Sequence, residues 1–174
     1  WGPVDLASTL RGVDRFCIDY YENREAFLYL LDRAVDFCIR FGKYVAERSA
    51  LPELDGGILS AEPGFYHPPG AVNCADDNLV LFAGEDKCPE VWEAERRFLN
   101  SCNGSLMELH SGRLQHYASY FGEGGPTVVE MGKDPIHRTR DDMFAAIEPY
   151  RGVKPLRYPA PIGQFDHSAS MWPG

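Results

Sequence analysis

The stretch Ser105-Leu106-Met107-Glu108-Leu109-His110-Ser111-Gly112-Arg113 runs from an apolar segment into a glycine-containing turn. Leu114, Tyr117, Ala118 and Phe121 then recur at three- and four-residue steps. A short apolar run reads as a buried strand, and that recurrence reads as one face of a helix. The segment is therefore strand, turn, helix. In α/β barrels the active site gathers at this end of the strands. One stretch thus points both to a fold class and to a candidate site.

Downstream, Thr127–Met131 is a second clear strand. Thr139 with Asp142 resembles a capping box for a helix through Glu148, stopped by Pro149. Val153–Tyr158 reads as a last strand, weakened by Pro155 and by the following Pro159. Upstream, Cys88-Pro89-Glu90 opens a helix, because proline is favoured in the first turn. Val91, Ala94, Phe98 and Cys102 form its apolar stripe.

The longest helix signal follows Asn23, a good N-cap. Phe27, Leu31, Ala34, Cys38, Phe41 and Val45 lie on one face, with Asp36 and Arg40 paired on the wet side. That helix should end near Ser49, and its length suits an outer barrel helix. Shorter helices are expected over Pro3–Leu10 and Asp14–Tyr21. Leu51–Phe82 is rich in Gly, Pro and Asn, with brief strand candidates at Gly57–Ala61 and Leu79–Phe82. Such long irregular stretches are usually functional. The alternation of helices and strands predicts an α/β fold with parallel strands and crossover helices.

The composition is that of a globular protein, with 44% hydrophobic and 25% charged residues among 174. No segment approaches the roughly 20 apolar residues that span a bilayer, so no membrane partner is expected. The net charge is −9, and no basic stripe suited to nucleic acid is present. Glu93, Glu95, Arg96 and Arg97 read as a solvated, mixed-charge surface. Five cysteines (Cys17, Cys38, Cys74, Cys88 and Cys102) occur in odd number and without C-x-x-C spacing. Reduced thiols in a cytoplasmic protein are the expected reading.

His110 can serve as a metal ligand, as a general acid or base, or as a donor to a substrate carboxylate. It can equally be a satisfied, partly buried histidine beside a turn made by Gly112. Arg113 offers a planar fork for carboxylates. Asp76-Asp77 can bind a metal or perturb each other's ionisation, or form a solvated turn that starts the next element. His67-Pro68-Pro69-Gly70, beside Phe65 and Tyr66, reads as a substrate-facing lid or a proline-fixed loop; Glu62 shares that stretch. Cys88, at a helix start, reads as a capping residue before it reads as a reactive thiol. None of the nucleotide-binding, nucleophile-elbow or zinc-protease motifs occurs.

Gly2-Pro3-Val4-Asp5-Leu6-Ala7, Leu10-Arg11-Gly12, Phe16 and Asp19-Tyr20-Tyr21-Glu22-Asn23 resemble a run in the uroporphyrinogen decarboxylase superfamily. Its members commonly read G-P, then R-G, then D-x-Y-x-N-P; here Arg24 stands for the proline. The resemblance continues through Asp76-Asp77, Cys88-Pro89-Glu90, His110-Ser111-Gly112-Arg113 with His116, and Val129-Glu130-Met131-Gly132. It is a spread of short motifs over most of Trp1–Pro135.

This resemblance implies a (β/α)8 TIM barrel of roughly twice this length, consistent with barrels of about 250 residues or more. The chain would supply roughly the C-terminal half over residues 1–158, followed by an irregular tail over 159–174. The implied activity is corrinoid-linked methyl transfer. The alternatives are cofactor-free decarboxylation of a porphyrinogen-type polycarboxylate and a non-catalytic binding protein on a degenerate barrel. His110 and Asp77 would be catalytic, and Asp76, Arg113, His116 and His67 would contact substrate. The methyltransferase branch implies zinc on His110, where its members read H-x-C with a later cysteine. Here the strand end reads Leu109-His110-Ser111-Gly112, and no cysteine follows Cys102. The implied partners are a small-molecule substrate and a corrinoid protein. Strand edges and apolar surface left exposed on a half-barrel imply self-association, such as a homodimer.

Overall fold

The computed structural model describes residues 1–48, 72–82, 88–101, 105–109, 128–131, 141, 145, 148–152 and 156–157. Three helices come first: α1 (Pro3–Arg11), α2 (Val13–Glu22) and α3 (Arg24–Arg48). Strand β1 (Val72–Ala75) leads into a 3-10 turn, Asp77–Phe82. Helix α4 (Pro89–Asn100) precedes β2 (Ser105–Leu109), β3 (Val128–Met131), a second 3-10 turn (Glu148–Tyr150) and β4 (Leu156–Arg157).

Local chemistry accounts for the helix boundaries. Pro3 occupies the first turn of α1, where its missing N–H costs nothing. Gly12 divides α1 from α2 at φ 85°, a backbone that side-chain-bearing residues rarely adopt. Asn23 divides α2 from α3, and its side-chain oxygen accepts the Ala26 N–H at 3.3 Å. Pro89 opens α4 directly after Cys88.

The core lies among α1, α2, α3, α4 and the first 3-10 turn. Phe16 of α2 stacks on Phe27 of α3, with ring centroids 4.5 Å apart and planes at 27°. Phe82, at the end of the 3-10 turn, meets Phe16 edge-on at 5.7 Å. Tyr20 closes the group, edge-on to Phe27 at 5.3 Å. Leu31, Ala34, Val35 and Cys38 extend the buried face of α3. Val4 and Ala7 of α1, with Val91, Phe98 and Leu99 of α4, complete the cluster.

The stripe predicted for α3 is correct from Phe27 to Cys38 and fails at Phe41, which is 54% exposed and stacks on the exposed Phe37. Val35, not on the predicted stripe, is fully buried. Asp36 is held by Arg33 and Arg97 rather than Arg40. Leu79–Phe82 forms a 3-10 turn instead of a strand, which drives Leu79 and Phe82 into the helical core.

The strands form one parallel sheet in the order β1-β2-β3-β4. Ala75 stands opposite Glu108, Leu106 opposite Val128, and Val129 opposite Leu156. The expectation of a (β/α)8 barrel, whole or half, is overturned. The described residues are mainly helical, and their first three elements are consecutive helices with no strand between them. A barrel needs one strand before each helix and a sheet that closes. Here α1, α2 and α3 bury their apolar faces on one another, and among the described residues β1 and β4 lie at opposite ends of a four-stranded sheet. The strand candidate at 57–61, the helix around 114–121 and the tail 159–174 lie outside the described residues. Among the described residues, no helix is long and apolar enough to cross a membrane.

Candidate functional site

The end of β1 meets the start of α1 at a buried polar cluster. The first N–H groups of a helix have no partner within it. In α1 they are satisfied from 72 positions away: Val4 N–H donates to Asp76 Oδ2 at 2.9 Å. Asp5 N–H donates to Asp76 Oδ1 at 2.7 Å. The Gly2 N–H donates to the Ala75 carbonyl at 2.7 Å, holding the chain against the strand end. Asp5 returns the contact, its Oδ1 accepting the Asn78 N–H at 2.8 Å. The Asn78 side-chain amide donates to Ser8 Oγ at 2.9 Å.

Glu95 of α4 completes the cluster. Its Oε1 accepts the same Val4 N–H at 3.3 Å, and its Oε2 accepts the Cys74 thiol at 3.8 Å. Asp76, Glu95 and Cys74 are each fully buried. Two carboxyls sharing one N–H donor must lie side by side. Burial, and then the charge of Glu95, holds Asp76 well above the ordinary carboxylate range. Burial pushes Glu95 up to about 7. Burial, and then Glu95, holds the Cys74 thiol well above its ordinary range. Burial therefore favours the protonated forms of all three groups.

One sulfur and two carboxylate oxygens here lie within 4.8 Å of one another, a spacing that a metal ion could use. Their hydrogen bonds run instead to each other and to α1. The two carboxyls and the thiol form one buried, hydrogen-bonded cluster.

The sequence-derived candidates fall in different places. Asp76 is buried, with N–H donors on both oxygens. Asp77 is half-buried at the start of the 3-10 turn, so the adjacent acids occupy different environments. His67, His110, Arg113 and His116 lie outside the described residues, as does Glu62. His110 follows Leu109, the last residue of β2, in the sequence. Cys88 precedes α4 without capping it through its side chain. Its hydrogen bond with Tyr20 is the leading cause that raises the tyrosine hydroxyl above its usual range.

Glu95 was expected on a solvated surface and is instead buried. Its spacing carried the signal, because Val91, Glu95 and Phe98 fall on one helical face. Cys74 lay in a stretch read as irregular, and nothing local marked it.

A second cluster fixes α2 against α1. Buried Asp19 receives Arg11 Nε at 2.6 Å and Arg15 Nε at 2.9 Å. The Arg11 hydrogen bond, more than any other contact, holds Asp19 below the ordinary carboxylate range. Arg24, the first residue of α3, lies 3.9 Å over the Tyr20 ring and pairs with Glu90 of α4 at 2.5 Å. It ties the starts of α3 and α4 together. No protein-family model, curated protein or solved structure matches this chain.

Proposed function

We propose that this chain is part of a uroporphyrinogen decarboxylase-like enzyme that carries out corrinoid-linked methyl transfer on a small molecule. One observation supports placing a ligand at the carboxyl ends of β1 and β2. These strands pair in parallel, with Ala75 opposite Glu108, so their carboxyl ends lie side by side. Parallel α/β sheets bind ligands beyond the carboxyl ends of their strands. Asp76-Asp77 directly follows β1 in the sequence, and His110-Ser111-Gly112-Arg113 directly follows β2. The reaction class rests on Gly2-Pro3 and Arg11-Gly12, taken with His110-Ser111-Gly112-Arg113, resembling the methyltransferase-like branch of that superfamily.

In this reading the half-buried Asp77 contacts the ligand, and Asp76 positions α1 from behind. His110 supplies a proton or a hydrogen bond, Arg113 pairs with a carboxylate, and His116 and His67 add polar contacts. The zinc that the resemblance implies would sit on His110, which lies outside the described residues. No step is assigned to zinc. Cofactor-free decarboxylation of a polycarboxylate is the second reading, favoured by Ser111-Gly112 standing where the methyltransferase branch has x-Cys.

The test uses the full chain. Methylcobalamin and a thiol acceptor are added, and loss of the methyl–cobalt absorbance is followed. Turnover that His110→Ala abolishes supports methyl transfer, whereas carbon dioxide release from a polycarboxylate porphyrinogen instead supports the second reading. Neither turnover, or turnover unchanged in His110→Ala, overturns the proposal in favour of a non-catalytic binder.

A further inference from the structure

The Asp76–Glu95 pair joins three elements through one point. Asp76 directly follows β1, Glu95 belongs to α4, and both accept the N–H of Val4 in the first turn of α1. Two ionised carboxylates cannot be held this way in a fully buried site, because like charges at contact in low dielectric repel strongly. We propose that Asp76 and Glu95 share a proton and form a latch on the first turn of α1, closed while a proton is held between them and opened when both are ionised.

The surrounding groups support this assignment. Asp5 faces the pair from α1, Cys74 from β1 and Cys38 from α3. Asp77 adjoins it at the start of the 3-10 turn. Every one of these is neutral or acidic. No lysine, arginine or histidine among the described residues forms an ion pair with either carboxyl. What stabilises the single negative charge is the helix end, whose N–H groups and dipole favour an anion. Asp76 accepts an N–H on each oxygen, while Glu95 has one longer bond from Val4.

The pH dependence follows from protons held longer in the closed state than in the open one. Both carboxyls are held above the ordinary range, so closure is strongest in acid. It weakens as pH rises through about 7, where Glu95 ionises, and further as Asp76 follows. Each proton held only by the closed state changes the opening equilibrium by about tenfold per pH unit.

Amide hydrogen exchange on the full chain, corrected for base catalysis, tests the latch. The Val4 and Asp5 amides should lose protection by at least about tenfold between about pH 6 and about pH 8. Leu31 and Val35 amides, in the core of α3, should change much less. Glu95→Gln reproduces the protonated side chain, with an oxygen for Val4 N–H and an amide that can donate to Asp76. It should flatten the pH profile of the first turn. A flat wild-type profile, an equal loss at Leu31 and Val35, or an unchanged slope in Glu95→Gln would overturn the proposal. If Glu95→Gln does not fold, infrared spectroscopy of the wild type decides. A protonated-carboxyl band at neutral pH that fades in alkali supports the latch, and its absence at neutral pH sinks it.

Discussion

A Cβ placed on Gly2 would lie 2.2 Å from Oδ2 of Asp76. The backbone at Gly2 is extended, with φ −90° and ψ 176°, which any residue can adopt. Its requirement for glycine is therefore steric. The glycine lets the chain pass against a buried carboxyl that caps the helix it begins.

Replacing Gly2 with Ala should force either Asp76 or the first turn of α1 to move. Overpacking of a tight site typically costs about 1–3 kcal/mol. Urea unfolding of Gly2→Ala should show a lower midpoint at unchanged slope. An unchanged midpoint would mean that Asp76 gives way without cost.

Phe16 and Phe27 are both fully buried and stacked. Phe16→Ala should destabilise the fold by about 3–5 kcal/mol, the usual result of emptying a phenylalanine site. Leucine at each position, singly and together, gives a milder double-mutant cycle. Its coupling energy should reach about 0.5–1.5 kcal/mol, the range for aromatic pairs. Strict additivity would show that the stack contributes only its buried area.

Asn23→Ala removes the side-chain acceptor for the Ala26 N–H at the start of α3. Losing such a cap costs about 0.5–2 kcal/mol. The measured loss should be largely recovered in Asn23→Ser, which restores a side-chain oxygen. Equal destabilisation by both substitutions would assign the effect to something other than capping.

Asp19 is held below the ordinary carboxylate range, first by its hydrogen bond to Arg11 and with Arg15 adding to the effect. A lowered value favours the folded state above the ordinary range. That stability is lost as pH falls through the lower, folded value. Chemical denaturation of the wild type should therefore weaken in acid, and Asp19→Asn should show a shallower acid slope. Identical slopes would place the acid sensitivity elsewhere.

The buried thiols should resist alkylation while the fold is intact. Burial pushes Cys38 up to about 11, so at pH 8 about one thiol in a thousand is ionised. Cys74 is held well above its ordinary range as well, with Glu95 adding to the effect of burial. Mass spectrometry after iodoacetamide treatment should find both residues unmodified in native protein and modified in urea. Rapid native labelling of Cys74 would show that the end of β1 opens readily.

The helices were legible in the sequence because their causes are local. Each N–H reaches only four residues back, so apolar period, Pro3, Gly12, Asn23 and Pro89 mark the ends of α1 to α4 with little outside help. The strands β2 and β3 announced themselves by short apolar runs. By contrast, β1 sits in a polar, proline-rich stretch and exists through its pairing with β2. The fate of Leu79–Phe82 was settled by its packing under Phe16, and the solvated reading of Glu95 failed because charge alone does not reveal what an α4 side chain faces.

What the sequence determined by itself, then, is a set of amphipathic helices and two strand segments, all products of near-neighbour chemistry. Tertiary structure decided that three helices pack consecutively beside a four-stranded sheet, and that Asp76 meets Val4 across 72 positions with Glu95 beside it. The reason is physical. A hydrogen bond within a helix depends on a few successive residues, whereas the ionisation of a buried carboxyl depends on everything the chain brings around it.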